Sequence, residues 1–168
     1  MGQIHIKNIK YVTSDETDPA ATDLTTAFGS ATAKTCHESG GVLDVEQLFI
    51  KQMSAESQLP HEVYPVGNDI KGNLTLLGDT MEDLAAQMNT SVTDDTIIIK
   101  AKPDSLAAIP NRAVMFDADL LGTGTRTYIA TCVKFDGKLN LKLNNKDEFN
   151  LPINFFGTKD SQLSIAQS

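Results

Sequence analysis

The chain has 168 residues, 40% hydrophobic and 21% charged, with a formal net charge of −8. That is the length of one ordinary domain, 1–168, able to bury a core without staples. Two cysteines, Cys36 and Cys132, make neither a disulfide framework nor a metal-site spacing, and no run approaches the ~20 apolar residues of a membrane span.

The charge is uneven. Residues 1–13 carry two lysines and no acid, and residues 14–69 carry ten acids against Lys34 and Lys51. Residues 70–168 carry twelve acids against ten bases. A concentrated acidic surface repels nucleic acid, although solubility alone also explains it. The opening MGQIHIKNIK has no apolar core for a signal peptide. The expected location is therefore the cytosol, or release by lysis rather than secretion.

Residues 3–13 alternate apolar and polar at Ile4 and Ile6, then shift phase at Ile9 and Tyr11. Alternation predicts a strand, and the shift predicts a bulge near Asn8. Residues 14–40 are rich in Ser, Thr, Asp, Ala and Gly, with Leu24 and Phe28 as the large apolar anchors, and read as a long loop. Within it, Cys36-His37-Glu38 invites a catalytic thiol reading. Adjacent residues in an extended chain point apart, and no supporting motif follows.

GVLDVEQLFIK (41–51) alternates, with Asp44 and Glu46 on one face. A glycosidase pair would need a cleft with the carboxylates ~5–10 Å apart. The chain has no Trp for sugar platforms, and a solvated or lumen-facing edge fits better. Gln52, Met53, Ser54, Ala55, Glu56, Ser57, Gln58, Leu59 and Pro60 form a polar loop, and residues 61–77 extend again with a break or bulge at Gly67-Asn68. Together they predict a long hairpin with an exposed arm over about 46–62. A helix follows over 80–89, capped by Asp79 or Thr80, with Met81, Leu84, Ala85 and Met88 on one apolar face.

DDTIIIKAK (94–102) reads as a strand with an apolar centre, KPDSLAAIPN as a Pro-bounded loop, and 112–121 as a strand. Gly122-Thr123-Gly124 is a turn; a phosphate-binding loop would need Gly-Lys-Ser/Thr, where Thr125-Arg126 stand. Residues 126–135 alternate, and Asp136-Gly137 signals a two-residue turn into KLNLKLN (138–144). A third strand spans 149–157, with Pro152 implying an edge or bulge. Arg126, Lys134, Lys138, Lys142 and Lys146 make this region basic, able to meet the acidic N-terminal third within or between subunits.

GVLDVEQLFIK, QMSAESQLP, DIKGNLTLL, TMEDLAAQM and the closing RTYIATCVKF, KLNLKLN and FNLPINFFG, spanning about 40–157, resemble phage tail tube proteins and, more distantly, the tube protein of type VI secretion systems. The segment 14–40 and the stretch 90–125 depart from that pattern.

The resemblance implies a mainly β protein, an antiparallel sandwich or barrel with one short flanking helix and a protruding arm. It implies a virion tail component assembled in the host cytoplasm: six subunits closing into a ring, rings stacking through the arm at Gln52–Pro60, and a conduit for genome ejection. Partners would be further copies, a tape measure protein in the lumen, and sheath, tail terminator and baseplate proteins. DNA would pass without specific binding. Asp44, Glu46, Glu56 and Glu62 are candidate lumen or interface acids.

No cofactor, metal or enzyme activity is expected, since no triad, metal cluster or nucleotide motif emerges. The alternatives are a tail terminator, head-tail connector or secretion-tube component, and a β-sandwich binding module.

Overall fold

The computed structural model describes residues 4–53, 55–56, 59–78, 80–140 and 150–168, without the side chains of Ile4 and His61. Six strands form one antiparallel sheet: β1 (Ile4–Thr13), β2 (Cys36–Met53), β3 (Pro60–Leu77), β4 (Arg112–Leu120), β5 (Gly124–Phe135) and β6 (Asn150–Gln167). Their spatial order is β1-β4-β5-β6-β3-β2. Two short helices flank the sheet, α1 (Thr22–Ser30) and α2 (Met81–Gln87). The protein is mainly β, as the alternation predicts.

The sheet curls until its ends meet. Lys34, just before β2, exchanges backbone hydrogen bonds with Ile9 of β1 at 2.7 and 3.3 Å. Thr35 then accepts from the Leu77 N–H at 2.9 Å. The sheet is therefore stitched shut at one end and open at the other.

The inner face holds the core. Leu74, Leu76, Val114, Phe116, Val133, Phe135, Leu151, Ile153 and Phe155 are buried there with Ile9. Each large aliphatic side chain buried contributes about 1.5–3 kcal/mol. The alternation on β6 and β3 puts every second residue into this core, the signature of a sheet with one dry face. Opposite Phe155 in the ladder stands Gly72. A Cβ there would lie 2.1 Å from the Phe155 ring, so the ring occupies the space a side chain would fill.

Local irregularities keep the core in phase. Asn8 has φ 53°, and the β1–β4 register skips between Lys7 and Lys10. That bulge sits where the sequence shifts phase, and it lets Ile6, Ile9 and Tyr11 all pack on the core. A second bulge at Cys132 (φ 50°) carries β5 from pairing with Gln162 to pairing with Gly157. The hydroxyls of Thr158 and Ser161 donate to the Cys132 carbonyl at 3.1 and 2.8 Å across the step.

Four expectations need correction. The segment 14–40 is no continuous loop: Leu24 and Phe28, four apart, form the buried stripe of α1 against Ala113 on the outer face. The strand β2 also starts earlier than expected, at Cys36. The run 94–102 forms no strand. Thr93 and Thr96 close a turn, and Ile98 and Ile99 are exposed beyond it.

Finally, Asp136-Gly137 opens no two-residue hairpin. Residues 136–140 lie outside any strand, and β5 pairs directly with β6 from Phe135–Phe155. The reason is that β4 and β6 already pair with the two edges of β5, which leaves none for a returning strand. The expected strand 138–144 lies from 141 onward outside the described residues. Pro152 lies in an interior strand, but where only β3 flanks it in the ladder.

Candidate functional site

The feature that exceeds the needs of the core is the β2–β3 ribbon. β3 pairs with β6 only over Lys71–Leu77, while β2 and β3 continue together to Met53–Pro60. Beyond Val45–Ile70 the two strands leave the sheet as a two-stranded arm. Register shifts at Leu48/Phe49 and Gln52/Met53 twist it. Such a ribbon is marginal by itself, and this one leaves Leu48, Phe49, Ile50, Met53, Val63 and Tyr64 exposed.

The ladder sorts its side chains. Facing partners share a face, so Asp44 with Lys71, Glu46 with Asp69, Ile50 with Tyr64 and Gln52 with Glu62 line one side. Val45, Phe49, Lys51 and Met53 line the other, with Ile70, Pro65 and Val63. Three of the candidate acids, Asp44, Glu46 and Glu62, thus share a face, joined by Asp69. Lys71 bonds Asp69 at 2.8 Å. Its ammonium is held above the usual lysine range by that bond first, with Asp44 and Glu46 adding to it.

Of the arm residues Gln52–Pro60, Gln52, Met53 and Pro60 sit in the ladder, and Ala55, Glu56 and Leu59 in the loop. Ser54, Ser57 and Gln58 lie outside the described residues.

The base of the fold is held by a polar lock under α2. Thr80 caps the helix, accepting from the Asp83 N–H at 3.3 Å while Asp83 accepts from Thr80 N–H at 3.4 Å. The expected cap Asp79 lies outside the described residues. Of the expected face Met81, Leu84, Ala85 and Met88, Ala85 is buried and Leu84 packs against the core, but Met81 is exposed, and Asp83, Ala86 and Gln87 are buried beside them.

Asp83 and Gln87 can be buried because each is fully used. The Asp83 carboxylate accepts from the Tyr11 hydroxyl and pairs with Lys34 at 3.2 Å. Gln87 donates from Nε2 to Asp136 Oδ1 and to the Lys138 carbonyl, both at 2.9 Å, and accepts from Asn154 N–H at 3.3 Å. Burial, then the bond to Asp83, pushes the Tyr11 hydroxyl far above its ordinary value.

The basic residues do not form one patch among the described residues. Arg126 and Lys134 stand eight residues apart on β5, about 25 Å along the strand. Arg126 donates to Gln167 at 3.3 Å and Lys134 to the Ile109 carbonyl. Lys138 follows β5, and Lys142 and Lys146 lie outside the described residues.

Cys36 and Cys132 are both free. Burial raises both thiols, the opposite of what a thiolate nucleophile needs. His37 turns to Ser39, its Nδ1 lying 2.9 Å from Oγ. Among the described residues no group of three or more His, Cys, Asp or Glu could hold a metal, and no helix is long and apolar enough to cross a membrane.

No protein-family model matches the chain. Among curated proteins it is similar to the dihydrolipoyllysine-residue acetyltransferase component of the pyruvate dehydrogenase complex of Zymomonas mobilis, with 28% identity over 114 residues, 67% of this chain. The chain spans about a quarter of that protein (26%). At that identity and coverage the likeness assigns no family.

Sequence reasoning located the arm, the acidic face and the cap region. It missed the roles of Asp83 and Gln87. Their spacing of four on a short helix was the available signal, since it puts two polar groups on one side.

Proposed function

We propose that the protein is a structural subunit that assembles with copies of itself, and specifically a phage tail tube subunit. Its rings, hexameric by resemblance, stack into a conduit for DNA. The observation that carries this reading is the arm: a long two-stranded extension, unsupported by a third strand among the described residues, with apolar side chains on both faces. Exposed apolar surface of this extent marks an interaction site, and an unpaired edge is a template for another chain.

The acidic face of Asp44, Glu46, Glu62 and Asp69 supports the same reading. A conduit wall must not bind phosphate tightly, and clustered carboxylates repel it. In this proposal the arm stacks rings, the tape measure protein occupies the lumen, and sheath, terminator and baseplate proteins meet the tube's outside and ends. The likeness to the acetyltransferase component names no residue here and carries no second reading.

Electron microscopy and light scattering of the purified protein over a concentration series test the proposal. Rings or tubes are expected at high concentration. A chain that stays monomeric across salt and concentration refutes it. In an arm-less variant, Gln47–Asn68 is replaced by Asn-Gly, joining the register neighbours Glu46 and Asp69. It is expected to keep the fold and form rings that do not elongate; long tubes from this variant exclude the arm as the stacking element.

A further inference from the structure

The sheet has a gap at its open end and, elsewhere in the same chain, an apolar segment with no strand to join. The order β1-β4-β5-β6-β3-β2 leaves β1 and β2 as the two edges. They are bridged at Ile9–Lys34. From Gly41 onward, β2 has β3 on one side and, among the described residues, no ladder partner on the other. There the barrel's mouth opens as a cleft of about 510 Å³ whose walls include Ile6, Leu43, Val45, Phe116, Tyr128 and Leu163. These are inner-face residues left uncovered because the sheet stops short of closure.

The segment is Thr96–Lys102, TIIIKAK. Three consecutive isoleucines have strong strand preference, yet the segment lies outside every strand and Ile98 and Ile99 are 67% and 57% exposed. Residues 98–109 stay exposed throughout.

We infer that Thr96–Lys102 of one copy adds to the free β2 edge of a second copy and lays Ile97 and Ile99 into that copy's open mouth. This rests on the self-assembly proposed above and names a contact within it that is separate from the arm. Backbone pairing along the edge gives affinity, and alternate side chains entering the cleft give register.

The occupant is a second copy for two reasons. Within one chain the segment sits at the wrong end: Ile98 and Ile99 lie beside Met88 and Thr90, just past α2, and the residues that follow are held near Lys134, which donates to the Ile109 carbonyl. The cleft opens at Tyr128, six residues and about 20 Å back along β5. Charge also matches. The segment ends in Lys100 and Lys102, and the β2 edge beside the cleft carries Asp44 and Glu46. Donor and acceptor are different surfaces, so the contact is heterologous, the type that closes rings.

The test uses the full chain carrying Cys36→Ser, with the buried Cys132 left in place. Ile99→Cys in one preparation is mixed with Val45→Cys in another and oxidised with copper–phenanthroline. A disulfide-linked dimer is expected in the mixture under assembling conditions. It is not expected when Ile99→Cys is mixed with Lys159→Cys, on the exposed bulge of β6. In parallel, the double variant Ile98→Asp, Ile99→Asp is expected to raise the critical concentration for assembly at least about tenfold. Its circular dichroism should be unchanged, because both side chains are exposed in the free chain. Assembly of the double variant at the parental concentration, or assembled mixtures with no Ile99–Val45 cross-link, overturns this contact alone. A parental chain that never assembles overturns the self-assembly reading and this contact together.

Discussion

Replacing Gln87 with alanine tests whether a polar lock, not an apolar cover, holds α2. The side chain is fully buried and makes three hydrogen bonds, to Asp136 Oδ1, the Lys138 carbonyl and Asn154 N–H. Asp136 Oδ1 retains the Lys138 N–H at 3.0 Å. The Lys138 carbonyl and Asn154 N–H lose a buried partner. A stranded buried group costs about 1–3 kcal/mol; Lys138 is exposed and its carbonyl can turn to water, so the Asn154 N–H together with the small cavity amounts to about 3 kcal/mol. For a chain of this size that is a fall in Tm of about 6–12 °C. The assay is urea and thermal unfolding by circular dichroism. Gln87→Glu sharpens it: a carboxylate in that place faces two acceptors, so the variant should be less stable than Gln87→Ala at pH 7 and recover as pH falls. A loss below about 1 kcal/mol for Gln87→Ala, with no pH-dependent recovery of Gln87→Glu, refutes the lock.

Three further outcomes follow from named contacts. Gly72→Ala forces the Phe155 ring out of its place and should cost about 1–3 kcal/mol; adding Phe155→Leu should recover part of that loss, and purely additive unfolding energies would show that the ring is not the obstacle. Tyr11 holds its proton more tightly folded than unfolded, so its contribution is fully present below about pH 10 and lost as pH rises beyond it; the fall in stability between pH 9 and 11 should be shallower in Tyr11→Phe, and identical slopes would remove Tyr11 as the cause. Thr80→Ala removes the side-chain half of the capping box and should lower stability by about 1 kcal/mol, read in the same urea titration, where an unchanged midpoint would show the cap to be idle.

The parts of this fold legible in the sequence are those where one physical signal dominates. Alternation against a dry face gave β1, β4 and β5, and a phase slip located the bulge at Asn8. The long hairpin and its acidic face follow from strand period and register. What stayed hidden depends on partners distant in sequence. Leu24 and Phe28 looked like stray anchors in a polar stretch until Ala113 supplied the surface they cover. TIIIK has the composition of a strand but no strand beside it among the described residues. Asp136-Gly137 has hairpin chemistry, overridden by β6, which takes the β5 edge a returning strand would need. The strand β6 runs ten residues past the expected end because bulged pairing across Cys132, which no local pattern announces, reconnects it to β5.

The arm and the open mouth bear on one question, whether this surface is sticky or specific. Only seven of the 18 residues of β3 pair with β6, so more than half of the strand serves nothing in its own core. A long, flat, apolar edge would aggregate without control. This one is neither flat nor uniform. Pro65 and Pro60 remove donors from β3, register shifts twist both ends of the arm, and Lys51 interrupts the apolar side. Asp44, Glu46 and Asp69 add like charge at its base, which opposes face-to-face stacking of identical arms and admits a basic partner. These devices block indiscriminate strand addition while leaving Phe49, Ile50, Met53 and Tyr64 available. A chain selected only to stay monomeric would shorten the arm. Keeping its length while breaking up its edge is what an ordered assembly requires.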